Sequence, residues 1–267
     1  MLTIEDKDFI NNDENANKLK VKLRDNKPDF SKDEIEKGLK GSFEDYAELD
    51  ELGRGGVAFA CFVKAETKSI NKPKFKSRMK PTAWKSIGCE AIKDGQCLYN
   101  RCHLIGRQLA TQKADKRGLI TGTRNFNVDG MFIFEEKVAD YKEHNSDYHI
   151  LYRVTPYYKE DDDLLPYGVQ MEILDIDDEE KLSYNVFIYN KQPGFTIDYK
   201  NGEVYSDYSL SLSGKRSGYN IYVIDMDTKR FHKESCVGVL DIKNKRYFVG
   251  EKQTIEEKYY KCENCIH

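Results

Sequence analysis

Leu98-Tyr99-Asn100-Arg101-Cys102-His103-Leu104-Ile105 is the stretch whose reading decides the rest, because it sets a histidine where an apolar strand gives way to another element. Glu90 to Tyr99 reads as a strand, and Leu104-Ile105 with Gln108-Leu109 begins a helical period, which predicts a helix over 104–110. Side chains at such junctions project into clefts. Downstream, Asn125, Asn127, Asp129 and Glu135 fall within one short segment. A neutral imidazole followed by amide and carboxylate oxygens suits metal-assisted hydrolysis. The imidazole takes a proton from water, and hard oxygen ligands hold Mg²⁺ against a phosphate. A lone strand-end histidine also serves as a satisfied structural residue, and the residues alone leave that alternative open.

The surrounding run extends the pattern: Thr121-Gly122-Thr123-Arg124-Asn125-Phe126-Asn127-Val128-Asp129-Gly130-Met131, then Phe134-Glu135 and Lys137-Val138-Ala139-Asp140-Tyr141. With Asn100-Arg101-Cys102-His103 it resembles the DNA/RNA non-specific endonuclease family, in the subgroup of streptococcal DNA-entry and secreted DNases with a ββα-metal active site. The family's first motif is usually Asp-Arg-Gly-His; here Asn100 and Cys102 stand in for its Asp and Gly. The resemblance implies that His103 is the general base, that Asn127 is the one direct protein ligand to Mg²⁺, and that Glu135 holds the waters around the ion. The spacing of eight residues from Asn127 to Glu135 agrees with the family and would span about 12 Å if helical throughout. It also implies that DNA, and RNA as a second candidate, is the substrate.

One departure stands out. Family members carry an asparagine shortly before the Leu-Ile-Thr-Gly-Thr run, where this chain has Arg117-Gly118. That position is the support for an alternative, a catalytically weak or inactive relative that binds DNA. Further resembling pieces are Leu49-Asp50-Glu51-Leu52-Gly53-Arg54, Lys80-Pro81-Thr82-Ala83-Trp84, Tyr152-Arg153-Val154-Thr155-Pro156, and Asn185-Val186 with Tyr189-Asn190 and Gln192-Pro193-Gly194. Together they cover roughly residues 41 to 200.

At 267 residues with 39% hydrophobic and 33% charged residues, the chain suits a globular domain with an appendage. No apolar run approaches the ~20 residues that span a bilayer. Met1 to Asp6 lacks the basic start and apolar core of a secretory signal. The expectation is therefore an intracellular chain or one trimmed of its leader, although relatives are often exported or surface-held. A net charge of −3 hides a strong asymmetry: residues 64–124 hold fifteen Lys/Arg against four Asp/Glu. Lys72, Lys74, Lys76, Arg78, Lys80 and Lys85 form its densest part, just ahead of the His103 motif. Phosphate backbones attract such a stripe, and Arg78, Lys80, Arg101 and Arg124 are the candidate nucleic-acid contacts. Solvated lysines that serve only solubility are the bland alternative.

The expected fold class is α+β: a ββα-metal nuclease core on an antiparallel sheet, with a small zinc-knuckle-like C-terminal domain. Residues 1–40 read as a loosely attached charged arm, in which Ser31-Lys32-Asp33-Glu34 is a capping box that starts a short helix. Residues 41–205 form the nuclease domain, with strands at His149–Pro156, Tyr167–Ile176 and Leu182–Tyr189 and a helix at Phe134–Tyr141. Residues 206–218, rich in Ser and Gly, read as a linker, and 219–267 as a separate unit.

Seven cysteines leave at least one unpaired, and Cys61, Cys89, Cys97 and Cys102 read as small apolar side chains. At the C-terminus Cys262-Glu263-Asn264-Cys265 is a Cys-x₂-Cys knuckle that lets two thiolates reach one tetrahedral ion. Cys236 and His232 supply the other two candidate ligands for Zn²⁺, with His267 a weaker choice. A unit of about 50 residues gains folding energy from a metal that its core cannot supply. This unit resembles the small module named for the Ada DNA-repair protein, whose usual ligand set is cysteine only. A disulfide or a knuckle without metal would use the same residues.

Overall fold

The three strands that the alternation of apolar and polar residues predicts are present, and they form the middle of an antiparallel sheet. In the computed structural model, residues 2–63, 79–87, 92, 97–110, 115–145, 147–206 and 220–266 are described. The N-terminal elements are α1 (Ile4–Asn11), α2 (Asp13–Ala16), β1 (Lys20–Lys22), α3 (Lys32–Leu39), β2 (Phe43–Tyr46) and β3 (Ala58–Val63). Next come β4 (Tyr99–His103), β5 (Leu119–Thr123), α4 (Phe132–His144), β6 (His149–Tyr157), β7 (Gly168–Asp175) and β8 (Ser183–Tyr189). The first sheet runs in the order β1-β8-β7-β6-β3-β2, with antiparallel neighbours throughout.

Strand periodicity sorts this sheet into two faces. Ile150, Tyr152 and Val154, Val169, Met171 and Ile173, and Val186 and Ile188 line one face. Leu104, Ile105, Ile120, Phe126, Met131, Phe134 and Val138 pack on it. Those residues belong to the β4–β5 hairpin, to the turn between its strands, and to α4 with its lead-in. Hairpin and helix are thus held to the sheet by one shared core.

The opposite face carries Arg153, Gln170, Glu172 and Asn185, all buried. The N-terminal segment covers it, so the expected loosely attached arm over residues 1–40 is instead built into the fold. Arg153 donates to Glu172 at 2.8 Å and also pairs with Glu34 of α3, while the Asp29 backbone N–H reaches Glu172 at 3.0 Å. Strand β1 extends the sheet, with Lys20, Val21 and Lys22 opposite Ile188, Phe187 and Val186. Ile10 and Leu23 bury themselves against Phe187 and Tyr189. The capping box holds: Ser31 Oγ accepts from the Glu34 N–H, and Glu34 accepts from the Ser31 N–H. The high charge of residues 1–40 matches a polar sheet face, which is why it read as a solvated arm.

A further expectation needs correction. Residues 104–110 form a turn rather than a helix, in which Leu109 and Ala110 both donate to the Gly106 carbonyl. The apolar spacing that suggested a helix comes from Leu104, Ile105 and Leu109 dropping into the core from that turn. Most of the strand expected at 90–99 lies outside the described residues, at 90–91 and 93–96; its expected end, Tyr99, is where a described strand begins and runs to His103.

The remaining elements are β9 (Phe195–Asp198), β10 (Glu203–Ser206), β11 (Asn220–Asp225), β12 (Arg230–Lys233), β13 (Lys245–Gly250), α5 (Lys252–Glu256) and β14 (Tyr260–Lys261). They form a second sheet in the order β14-β12-β11-β13-β10-β9. Strands β9 and β10 precede the expected 206–218 linker, and β10 pairs with β13 beyond it. The proposed boundary between 41–205 and 219–267 therefore cuts through a sheet, and Ser206 is a strand residue opposite Tyr247. Residues 207–219 lie outside the described ones.

Gly122 of β5 sets how closely the helix approaches the hairpin. A Cβ there would lie 2.4 Å from the Phe126 ring and 2.6 Å from Cys102 Sγ. Gly122→Ala is expected to destabilise the fold by about 1–3 kcal/mol through overpacking. The urea midpoint should fall with little change in slope.

Candidate active site and a cysteine–histidine cluster

His103 is the last residue of β4, opposite Leu119 of β5. Three residues earlier on the same strand, Asn100 accepts a hydrogen bond at 3.2 Å from Asn127 Nδ2. Asn127 lies in a π-helical turn, Phe126–Met131, that leads straight into α4. Such a turn breaks the α-helical register, so the 12 Å span for an unbroken α-helix does not apply to the Asn127–Glu135 pair. The turn is anchored on two sides: Phe126 is fully buried, and a Cβ on Gly130 would sit 2.6 Å from the Ile188 side chain of β8. Because Nδ2 donates to Asn100, the Asn127 amide is oriented, and Oδ1 is the atom turned to other partners.

Glu135 reaches the hairpin on the other side of His103. It sits on the first turn of α4 and is buried. A Cβ on Gly106 would lie 2.3 Å from Glu135 Oε2, so the carboxylate rests directly on that glycine. Gln108 Nε2 donates to the same oxygen at 3.1 Å. Asn127 is thus tied three residues before His103, and Glu135 is tied three and five residues after it. The structure brings these residues to one seam between the β4–β5 hairpin and the lead-in to α4. Gly106 and Gln108 were missed from sequence because the segment looked helical; the Gly in a short apolar period was the available signal.

Burial governs the electrostatics. Burial, with the positive charge of Arg107 second, lowers the His103 pKa to about 4, so its imidazole is neutral at physiological pH. Burial pushes the Glu135 pKa up to about 7, against the hydrogen bond from Gln108, which lowers it. A carboxylate held so near neutrality is primed to ionise when a cation arrives, so the residues fit a divalent metal. Tyr152 of β6 is fully buried, and its hydroxyl has no hydrogen-bond partner in the described structure.

The basic candidates divide. Arg101 stacks on the Trp84 ring at 4.4 Å, which fixes a guanidinium two residues from His103. Arg124 is half-buried at the hairpin end, where its N–H donates to the Leu98 carbonyl. Lys80 is exposed, and Lys85 pairs with Glu203. Arg78, Lys72, Lys74 and Lys76 lie outside the described residues. Arg117, at the family's asparagine position, is held by Asp115 and Glu48 at 2.7 and 2.6 Å. Asn125 is tied to the 191–192 loop instead, its N–H donating to Gln192 Oε1 at 3.0 Å. Asp129 is exposed.

The C-terminal candidates also converge. Ligand atoms of His232, Cys236, Cys262 and Cys265 all lie within 4.8 Å of one another. His232 comes from β12, Cys236 from the turn after it, and the last two from the knuckle after β14. His232 Nδ1 is buried with no hydrogen-bond partner in the described structure. Burial opposes ionisation of Cys262, but the Asn264 N–H and the Cys265 and Cys236 thiols hold its pKa below that of an ordinary thiol. Cys265 is pushed up to about 11, by burial first. One imidazole and three thiols around a common point, one poised to ionise, make a tetrahedral donor set for Zn²⁺. His267 lies outside the described residues.

Comparison with known proteins fits this geometry. Among solved structures, NucA from Streptococcus agalactiae with magnesium ion bound matches with a TM-score of 0.57 and 22% identity, over 72% of this chain and 86% of that one. The same nuclease with no metal bound matches with a TM-score of 0.52 and 22% identity, over 65% of this chain and 79% of that one. At this identity the likeness is one of fold. The Sda1 nuclease with bound zinc ion shows 27% identity and a TM-score of 0.49, over 60% of this chain and 79% of that one. A family profile described as DNA/RNA non-specific endonuclease matches residues 33–176, more than half of the chain, and includes both strands of the hairpin and all of α4. With hairpin, π turn and helix in place and the profile running across them, the chain belongs to the DNA/RNA non-specific endonuclease family.

Proposed function

We propose that this endonuclease hydrolyses phosphodiester bonds in DNA with His103 as general base, and that RNA is a second substrate to be tested. The observation that carries this reading is the bracketing of His103 by Asn127, bonded to Asn100, and by Glu135, seated on Gly106. Mg²⁺, when bound, supplies the positive charge that offsets the phosphate and the departing 3′-oxygen. Asn127 would hold it through Oδ1, and Glu135 would accept hydrogen bonds from its hydration waters.

His103 acts on the attacking water. Its neutral imidazole accepts the proton as the water oxygen bonds to phosphorus, while the 3′-oxygen leaves with the electrons of the broken bond. An anionic phosphate beside His103 opposes the effect of Arg107 and raises the pKa from about 4 toward neutrality, where a base works best. Arg101, braced by Trp84, would grip a phosphate oxygen. Contacts of this kind carry no base information, which supports weak sequence preference.

His103→Ala is expected to slow plasmid cutting in Mg²⁺ by at least about 100-fold, with gel-shift binding retained. Undiminished cutting by that variant would remove His103 as the base, and binding without cutting by the parent would favour the inactive relative. Gln108→Leu frees one edge of Glu135, so half-maximal cutting should require about tenfold more Mg²⁺. A Mg²⁺ titration that superimposes on the parent's would show that Gln108 plays no such part.

Glu135 also carries a stability cost. Its pKa rises from near 4.5 in the unfolded chain to about 7 when folded. Stability from this group is therefore complete below pH 4.5 and is lost as pH rises to 7. Without divalent ions, Glu135→Gln should stabilise the protein by about 2–3 kcal/mol at pH 8 and not at pH 4. Equal thermal midpoints for variant and parent at pH 8 would contradict the burial of this carboxylate.

A further inference from the structure

The cysteine–histidine cluster shares a core with the strand that carries the catalytic motif. Leu98 and Tyr99, the root of β4, pack in one buried cluster with Val204, Val223, Val239 and Val249 of the second sheet and its turn. Tyr99 donates its hydroxyl proton to the Gly202 carbonyl at 3.1 Å, and Lys85 pairs with Glu203 of β10. Cys236 borders this cluster and also the neighbouring one that contains Cys262 and borders Cys265. It opens the 3₁₀ turn Val237–Asp241, which contributes Val239 to the buried cluster that also holds Leu98 and Tyr99.

The tail meets the rest of the sheet along β12 and through Cys262 and Ile266 in the neighbouring buried cluster. Strand β14 pairs with β12 through two positions, Arg230 with Tyr260 and Phe231 with Lys261. Cys236, Cys262 and Cys265 are free thiols. Val237 and Leu240 on the same turn are 81% and 82% exposed, so Val239 is its buried anchor. A tail joined to its sheet through so short a strand would gain cohesion from a cross-link at the four donors.

We propose that Zn²⁺ held by His232, Cys236, Cys262 and Cys265 couples to the nuclease site: occupancy fixes Val239 in the buried cluster it shares with Leu98 and Tyr99 and so steadies the strand that presents Asn100 and His103. The ion is a remote brace, and residues 220–266 act as part of the catalytic scaffold rather than as an independent domain. The catalytic consequence rests on the His103 reading above, whereas the coupling itself does not.

The test compares the full-length parent as purified, after zinc removal by a thiol- and nitrogen-donor chelator that is then dialysed away, and after zinc add-back. Elemental analysis should give about one zinc per chain before stripping and after add-back. Hydrogen exchange should rise on stripping across β11 to β14 and also across 97–103, and return on add-back. With Mg²⁺ saturating, kcat should fall about tenfold or more on stripping, with the Mg²⁺ half-saturation little changed. His232→Cys, which keeps four donors, should retain zinc and protection at 97–103. Val239→Ala should retain zinc but lose part of the protection at 97–103. No zinc in either the purified or the reconstituted protein, or a disulfide among the three cysteines in its place, would overturn the proposal. So would loosening confined to 220–266 with 97–103 still protected. If the parent does not cut DNA at all, the His103 reading fails while zinc content and exchange still decide the coupling.

Discussion

The seam between hairpin and helix is built around a buried carboxylate. Glu135 sits under the hairpin against Gly106, with Gln108 on one oxygen and burial holding its pKa near neutrality. An apolar side chain there would make a better core. The fold instead keeps an acid at the point where hairpin, turn and helix meet, and small residues make room for it. Gly106 admits the carboxylate, Gly122 admits Phe126, and Gly130 admits Ile188. The approaches at Gly106 and Gly122 bring helix and lead-in against the hairpin, where Asn127 and Asn100 share a hydrogen bond, and the approach at Gly130 sets the lead-in on β8.

That arrangement explains which parts of the chain were legible in its sequence. Strands β6 to β8 alternate because one face meets the hairpin and helix, and the alternation predicts them to within a residue or two. Asn100, His103, Asn127 and Glu135 were visible as chemistry. The turn at 104–110 was not, because Leu104, Ile105 and Leu109 are buried by tertiary contact rather than by helical periodicity. The polar back face misled in the same way. Arg153, Glu172 and Asn185 look like solvated positions in a strand, and residues 1–40 look like a solvated arm; each buries the other.

The second sheet shows how far composition can guide domain boundaries. A Ser- and Gly-rich stretch at 206–218 looks like a separator, yet β10 before it pairs with β13 after it through Val204–Val249, Tyr205–Phe248 and Ser206–Tyr247. Pairing across a loop costs little extra entropy per added residue, so a long connection need not divide a sheet. The Cys-x₂-Cys spacing, by contrast, was a local signal that pairs Cys262 with Cys265, and the two further candidates, His232 and Cys236, meet them across the sheet. Local geometry was readable; long-range pairing was not.

The cover on the back of the first sheet has a consequence for how the chain is made. Lys20 to Lys22 pair with Val186 to Ile188, and Ile10 rests on side chains from the same strand. Those partners leave the ribosome more than 150 residues later. Until then the amino-terminal tenth of the polypeptide has no template, and its edge of the sheet cannot be closed. A high proportion of such distant pairings slows folding and prolongs exposure of bare strand. The dense charge of the first 40 residues suits that wait, since it keeps the nascent segment hydrated and discourages premature association.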